Sequence, residues 1–420
     1  MRSALLIAAS LLSLPASAFP KFFGKKAAPA TPPAEIAARL VKSMSVNGDD
    51  VVAIRADPAS TDVALAFAVA AARAGAATLV TLDSAAIERA TAEGSGAGNI
   101  DPFTPRLRDG ATLLVRFGGA DDDALDGISE DKLAARARTV AAVEGPRGPA
   151  GDGAWRALVI GGDDYPTESL AKACGVALPT LQKAFWDAVL TPPAQLAHEA
   201  AKLKAALSGN HEVRVTTKAG TDLAVALINR PPRVSTGEIL PDQAKLPGGK
   251  IVRLPAGEVA AAPTEFSANG KVVVPFLRFH GKTVKNATLT FAEGKLTKVA
   301  ANEGAKALND ALAASKGDKD IIGAVDVGLN PALSAYGPCR SYAALGVVTI
   351  GVGANAWAGG TNQSDLSLMV HLPDATLVVD GKTLVDNGKL VAPELPAEKA
   401  APKPADHPAA KPAPPAKPSK

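Results

Sequence analysis

Apolar positions in the first half of the chain fall into compact runs separated by stretches with helical spacing. Glu35 to Met44 gathers its apolar residues on one helical face, and Val51 to Ala56 (VVAIRA) follows as an unbroken apolar run that reads as a buried strand. Asp57-Pro58 breaks that run, Ser60 can cap, and Val63 to Ala74 continues as a helix stopping at Gly75. The alternation repeats with strands at Ala77 to Leu82, Thr112 to Phe117 and Ala157 to Ile160, and with helices from Ser84 and over Asp131 to Val143. Apolar strands separated by helices predict a parallel sheet covered on both faces. Residues 34–208 are therefore expected to form a Rossmann-like α/β layer. Tyr165-Pro166-Thr167-Glu168 opens a further helix, and Leu196 to Leu207 a linker helix on which His198 reads as an ordinary surface residue.

After Gly209-Asn210 the period changes from helical to two. Val213 to Thr217, the turn Gly220 to Leu223 and Ala224 to Ile228 read as a hairpin. Short strands then follow at Ile251 to Arg253, Lys271 to Pro275, Ala287 to Phe291, Leu296 to Ala300, Val347 to Val352 and Thr376 to Val379, interrupted by a helix over Gly304 to Ala314. Residues 209–390 are expected to be a mainly β domain.

The two ends differ from this body. Arg2, the apolar run Ala4 to Leu14 and Ala16-Ser17-Ala18 have the form of an export signal over residues 1–18, so the mature chain is expected to begin at Phe19 outside the inner membrane, periplasmic or secreted. No cysteine follows the apolar run to take a lipid anchor, and no later stretch approaches the roughly 18 apolar residues of a membrane span. Residues 19–33 form a basic, Pro-rich flexible leader. The Pro, Ala and Lys of residues 391–420 cannot bury a core and predict a disordered tail, with the cell envelope as its expected contact.

Aromatics make up only 4% of the sequence, so the core must be built from small aliphatic side chains. Arg2 and the lysines of the tail account for the formal charge of +3, which leaves a balanced body without the basic face that nucleic-acid binding needs. The turn after the first strand reads ADPAST, not a dinucleotide fingerprint, and the Gly94 to Gly98 run opens no helix. Asp121, Asp122, Asp123 and Asp126 lack EF-hand spacing and read as a solvated turn. There is no H-E-x-x-H and no G-x-S-x-G.

One turn organises the rest. In Arg253 to Pro263 (RLPAGEVAAAP) a Pro-Ala-Gly turn presents a lone carboxylate, Glu258, at the start of a small-residue strand. Together with NGKVVVP (269–275), GLNP (328–331), GVVTIGVGANAWAGGTNQSDLSLM (346–369) and VDGKTLVDNGKL (379–390), it resembles the thermophilic metallo-aminopeptidases of the aminopeptidase T, or leucyl aminopeptidase, type. An iron-dependent dihydroxypyridine dioxygenase shares that fold. The resemblance runs from about Ala34 to Leu390 and implies a Rossmann-like parallel-sheet N-terminal domain followed by a β-rich domain of aminopeptidase T type. It implies a two-metal site on the second domain, peptide substrates and a homodimer. It also places Cys174 and Cys339 in different domains, and they are expected to be unpaired.

Carried over position by position, the family's metal ligands are mostly missing. Glu258 occupies the first, whereas Ala324, Thr349, Ser367 and Met369 stand at the other four. A thioether in place of a hard-oxygen ligand suits soft metals, not the zinc, cobalt or iron of such sites. Nearby candidates for a rebuilt site are Asp326, His371 and Asp374, of which Asp326 and His371 keep strand face by even offsets from the lost positions. The resemblance with its losses implies a non-catalytic relative without a cofactor that binds or scaffolds peptides. The alternative is a working aminopeptidase, or related metalloenzyme, with relocated ligands and a divalent zinc, cobalt or iron ion.

Overall fold

The computed structural model describes residues 31–94, 110–118, 125, 127–136, 155–279, 282–335, 339 and 341–391. The signal, most of the leader, Ser95 to Gly98, the Asp121 to Asp126 cluster apart from Leu125, Ala137 to Val143 and all of the tail after Val391 lie outside the described residues.

The chain begins α1 (Pro33–Ser43), β1 (Val51–Ala56), α2 (Thr61–Arg73), β2 (Ala77–Leu82), α3 (Ala85–Gly94), β3 (Leu113–Gly118) and β4 (Arg156–Gly161), then α4 (Glu168–Cys174), α5 (Leu178–Val189) and α6 (Pro193–Leu207). It continues β5 (His211–Thr216), β6 (Asp222–Leu227), β7 (Arg233–Ser235), β8 (Ile251–Leu254), β9 (Glu258–Ala261), β10 (Asn269–Phe279), β11 (Lys282–Ala292), β12 (Lys295–Ala300), α7 (Ala305–Ala314) and β13 (Ile322–Gly328). The last strands are β14 (Val348–Gly353), β15 (Ser367–Leu372), β16 (Thr376–Val379), β17 (Lys382–Asp386) and β18 (Lys389–Leu390).

Three sheets result. The first is parallel, in the order β2-β1-β3-β4-β8. The second has eight antiparallel strands, β12-β11-β10-β6-β5-β16-β17-β18, and the third five, β15-β14-β13-β9-β7. β8 lies well past residue 208, yet it extends the first sheet, with Ala157 opposite Ile251 and Ile160 opposite Leu254. Local alternation marks Ile251 to Arg253 as a strand but cannot say which sheet receives it.

One contiguous apolar cluster joins the layers, from Ile36 and Leu40 of α1 through Val115 and Phe117 to Val325, Ile350 and Val385. Alanine contributes much of it, as the scarcity of aromatics requires. No helix among the described residues is long and apolar enough to cross a membrane.

Cys174 and Cys339 are joined in a disulfide with Cα atoms 5.2 Å apart, which overturns their expected independence. The 3-10 turn Pro331–Ala335 packs on α5, and this return of the chain carries Cys339 to the end of α4. A separation of 165 residues in sequence therefore says nothing about proximity in the fold.

Candidate functional site

The chain leaves the first sheet at Leu254, passes a cis Leu254–Pro255 peptide and Gly257, and enters the third sheet at Glu258. Gly257 has φ +122°, and a Cβ there would lie 3.0 Å from the Asn330 backbone nitrogen and 3.1 Å from Leu196, so only glycine fits. Asn330 of the GLNP motif is fully buried and fastens this turn. Its Nδ2 donates to Ala256 O at 2.7 Å and Ala188 O at 3.1 Å, and its Oδ1 accepts from Thr191 Oγ1 at 3.2 Å. Asn362 of the TNQS segment does the same for the strand ends, donating to Ile322 O and Gly353 O. Both motifs thus have structural work that requires no ligand.

Cross-strand register builds the site. Arg233, Ala260, Asp326, Thr349 and His371 stand opposite one another on successive strands β7, β9, β13, β14 and β15. Directly opposed residues share a face, and Glu258, two residues from Ala260, shares it diagonally with Asp326. The alternate residues Val259, Val325, Ile350 and Val370 enter the main core. The face therefore carries two acids, one histidine and, at its edge, a half-buried Arg233 without an ion pair among the described residues.

Burial controls the charges on this face. It pushes the Glu258 carboxyl up to about 7, with Asp164 pushing the same way and Arg253 opposing. Asp326 is raised well above the usual carboxylate range, first by burial and then by Glu258. The two acids titrate as a pair, so the remaining proton belongs to both. Neither Asp326 oxygen meets a donor at hydrogen-bonding geometry, although the Val327 amide favours its charged form. Burial lowers His371 to about 4, which keeps it neutral, and its Nδ1 shares a 2.9 Å hydrogen bond with Thr349 Oγ1.

The positions singled out by sequence divide clearly. Glu258, Asp326, Thr349 and His371 come together on the one face. Ala324 packs with Ala260, Ala262 and Ala358 against Trp357, and its methyl offers no donor atom to a metal. Met369 is half-buried, opposite Gly351, and Ser367 is exposed at the start of β15. Asp374 lies exposed in the turn between β15 and β16 and does not join the site, because the chain reverses after Leu372. His198 is exposed on α6, 3.8 Å from Glu199.

Sequence reasoning missed Asp164, Ser341, Tyr342 and Arg233. Ser341 Oγ donates to Asp164 Oδ2 at 2.5 Å, and Tyr342 stands 6.4 Å from the His371 ring. Burial, Glu258 and Asp164 all raise the Tyr342 hydroxyl. Asp164 follows the carboxyl end of β4, where open parallel sheets receive ligands, and that rule is the signal that could have found it.

A two-metal hydrolytic centre needs several carboxylates and imidazoles converging on a bridging water. Among the described residues no three His, Cys, Asp or Glu side chains converge closely enough to hold an ion. The donors present do not fit such a centre.

A sequence model of the thermophilic metalloprotease (M29) family matches residues 34–322. No curated protein sequence matches the chain. Among solved structures, wild-type AmpT from Thermus thermophilus is similar at 18% identity with a TM-score of 0.61, covering 86% of this chain and 98% of that one. The 2,5-dihydroxypyridine dioxygenase of Pseudomonas putida is similar at 18% identity with a TM-score of 0.54, covering 86% and 97%. At this identity the two structures establish the fold: a parallel sheet joined to antiparallel, β-rich layers.

Proposed function

The chain belongs to the thermophilic metalloprotease (M29) family, and from that premise we propose that it has given up metal-dependent hydrolysis and keeps the family cleft as a peptide-binding surface. The observation that carries this reading is the Ala260–Asp326–Thr349–His371 row with Glu258 diagonal to it, where burial raises both carboxyls towards their protonated forms and the neighbouring Ala324 packs against Trp357. A protonated carboxyl both donates and accepts hydrogen bonds, which suits peptide groups, and Arg233 gives the face a cationic edge.

Elemental analysis of native protein, with release of amino acids from unblocked peptides with and without added zinc, cobalt or iron, tests the reading. Well under one ion per chain, no turnover and saturable peptide binding are expected. Stoichiometric metal together with turnover abolished by Glu258→Ala would overturn it.

One observation favours a second reading, a metalloenzyme with relocated ligands. The two unpartnered oxygens of buried Asp326 beside Glu258 form an arrangement that a cation could satisfy. The same metal analysis decides between them.

Export is part of the proposal. The signal-like N-terminus supports it, and the Cys174–Cys339 disulfide suits an oxidising compartment. Mass spectrometry of the mature protein should find Phe19 first. The homodimer and the envelope-contacting tail are proposals by resemblance and composition, tested by light scattering and by pull-down on isolated envelopes with and without residues 392–420.

A further inference from the structure

A separate cavity of about 350 Å³, to which Glu258 and Asp326 contribute nothing, lies between the second half of α1, the α5–α6 corner, the segment after β7 and the Leu254–Ala256 turn. Leu40, Val189, Leu190 and Leu196 make much of its wall apolar. Its size is near the lower end of small-ligand pockets, which limits the occupant to a small molecule.

Two of the charges at the cavity are unpaired. Lys42 and Glu238 both line it and both are exposed, yet neither makes an ion pair or side-chain hydrogen bond among the described residues, with each other or with anything else. Arg39, the other lining cation, is already held by Glu35 at 3.0 Å. Thr236, two residues before Glu238 and only 2% exposed, also lines the cavity, and its hydroxyl has no hydrogen-bond partner among the described residues. One free cation, one free anion and one unpartnered hydroxyl thus surround an apolar hollow.

We propose that this cavity binds a free apolar α-amino acid, its carboxylate at Lys42, its ammonium at Glu238 and its side chain against Leu40, Val189, Leu190 and Leu196. A simple fatty acid would use Lys42 and leave Glu238 without a counter-charge, and a simple amine would do the reverse. A zwitterion offers a counter-charge to each group, and the buried Thr236 hydroxyl gives it a neutral hydrogen-bonding neighbour. The inference does not rest on the reading of the Glu258 site. The two places are mechanically joined, however, because Thr191 of the cavity wall bonds Asn330, which holds Ala256 two residues from Glu258.

The test uses the mature full-length protein and calorimetric or saturation-transfer titration with L-leucine, N-acetyl-L-leucine and L-leucinamide. L-leucine is expected to bind saturably, with each blocked analogue weaker by about tenfold. Lys42→Ala should weaken L-leucine but not L-leucinamide, and Glu238→Gln should weaken L-leucine but not N-acetyl-L-leucine. Both residues are exposed, so these variants keep the fold. No saturable binding of L-leucine up to about 10 mM would overturn the proposal, since weaker binding has no specific meaning here. So would equal affinity for the blocked analogues, or unchanged L-leucine affinity in both variants.

Discussion

Replacing Glu258 with glutamine removes one ionisation from the acid pair and leaves the turn's shape intact. In the folded protein Glu258 titrates at about 7 against an ordinary value of 4.5, mainly because burial disfavours its charge. The folded state therefore binds more protons than the unfolded chain between those values, and stability must fall as pH rises. It is fully present below about 4.5 and is lost as pH climbs through about 7. A displacement of that size corresponds to about 3 kcal/mol as an upper figure. Asp326, raised partly by Glu258, should add to the slope in the wild type and to a smaller extent in the variant. Urea unfolding of chelator-treated protein at pH 5 and pH 8 measures the effect. Wild-type protein should lose stability between the two, and Glu258→Gln should lose much less, so that the variant is the more stable protein at pH 8. Equal slopes, or a wild type that gains stability towards pH 8, would show that Glu258 is ionised in the fold and would refute the proton-sharing pair.

Other outcomes follow from the same structure. Asn330→Ala should destabilise by about 3 kcal/mol, because it strips the Ala256 carbonyl of its donor and the Ala332 amide of its acceptor, and thermal unfolding will show it. The oxidised protein should show no reactive thiol, and Cys339→Ser should cost about 2–5 kcal/mol, given a loop of 165 residues, in unfolding under non-reducing conditions. His211, bonded to Asp380 at 2.6 Å and to the Ser208 carbonyl at 2.8 Å, has its imidazole raised chiefly by Asp380. Its contribution to stability is present below the ordinary histidine value and lost above the raised one, so Asp380→Asn should destabilise more at pH 6 than at pH 9, and NMR titration should show the His211 midpoint falling.

Much of the fold was legible in the sequence because its period changes so plainly near Gly209. The run VVAIRA ending at Asp-Pro, and the alternating GTDLAVAL, each mark a strand by local pattern alone. Glu258 was equally legible, since a Pro-Ala-Gly turn before a small-residue strand fixes where its carboxylate begins. Even offsets in a strand kept Asp326 on the expected face. Asp374, a candidate by closeness in sequence alone, stays outside because the chain turns between Leu372 and Thr376, and a face is preserved only while a strand continues.

Sequence by itself determined the types and order of the elements and the small-residue core. Only the tertiary structure decided that β8 belongs to the parallel sheet, that Cys174 meets Cys339, and that Asp164, Tyr342 and Arg233 stand around Glu258 and Asp326. Periodicity and turn chemistry act over a few residues and are written in the local pattern. Pairing across sheets, and the burial that decides whether a carboxyl keeps its proton, depend on groups far apart in sequence that meet only when the chain has closed.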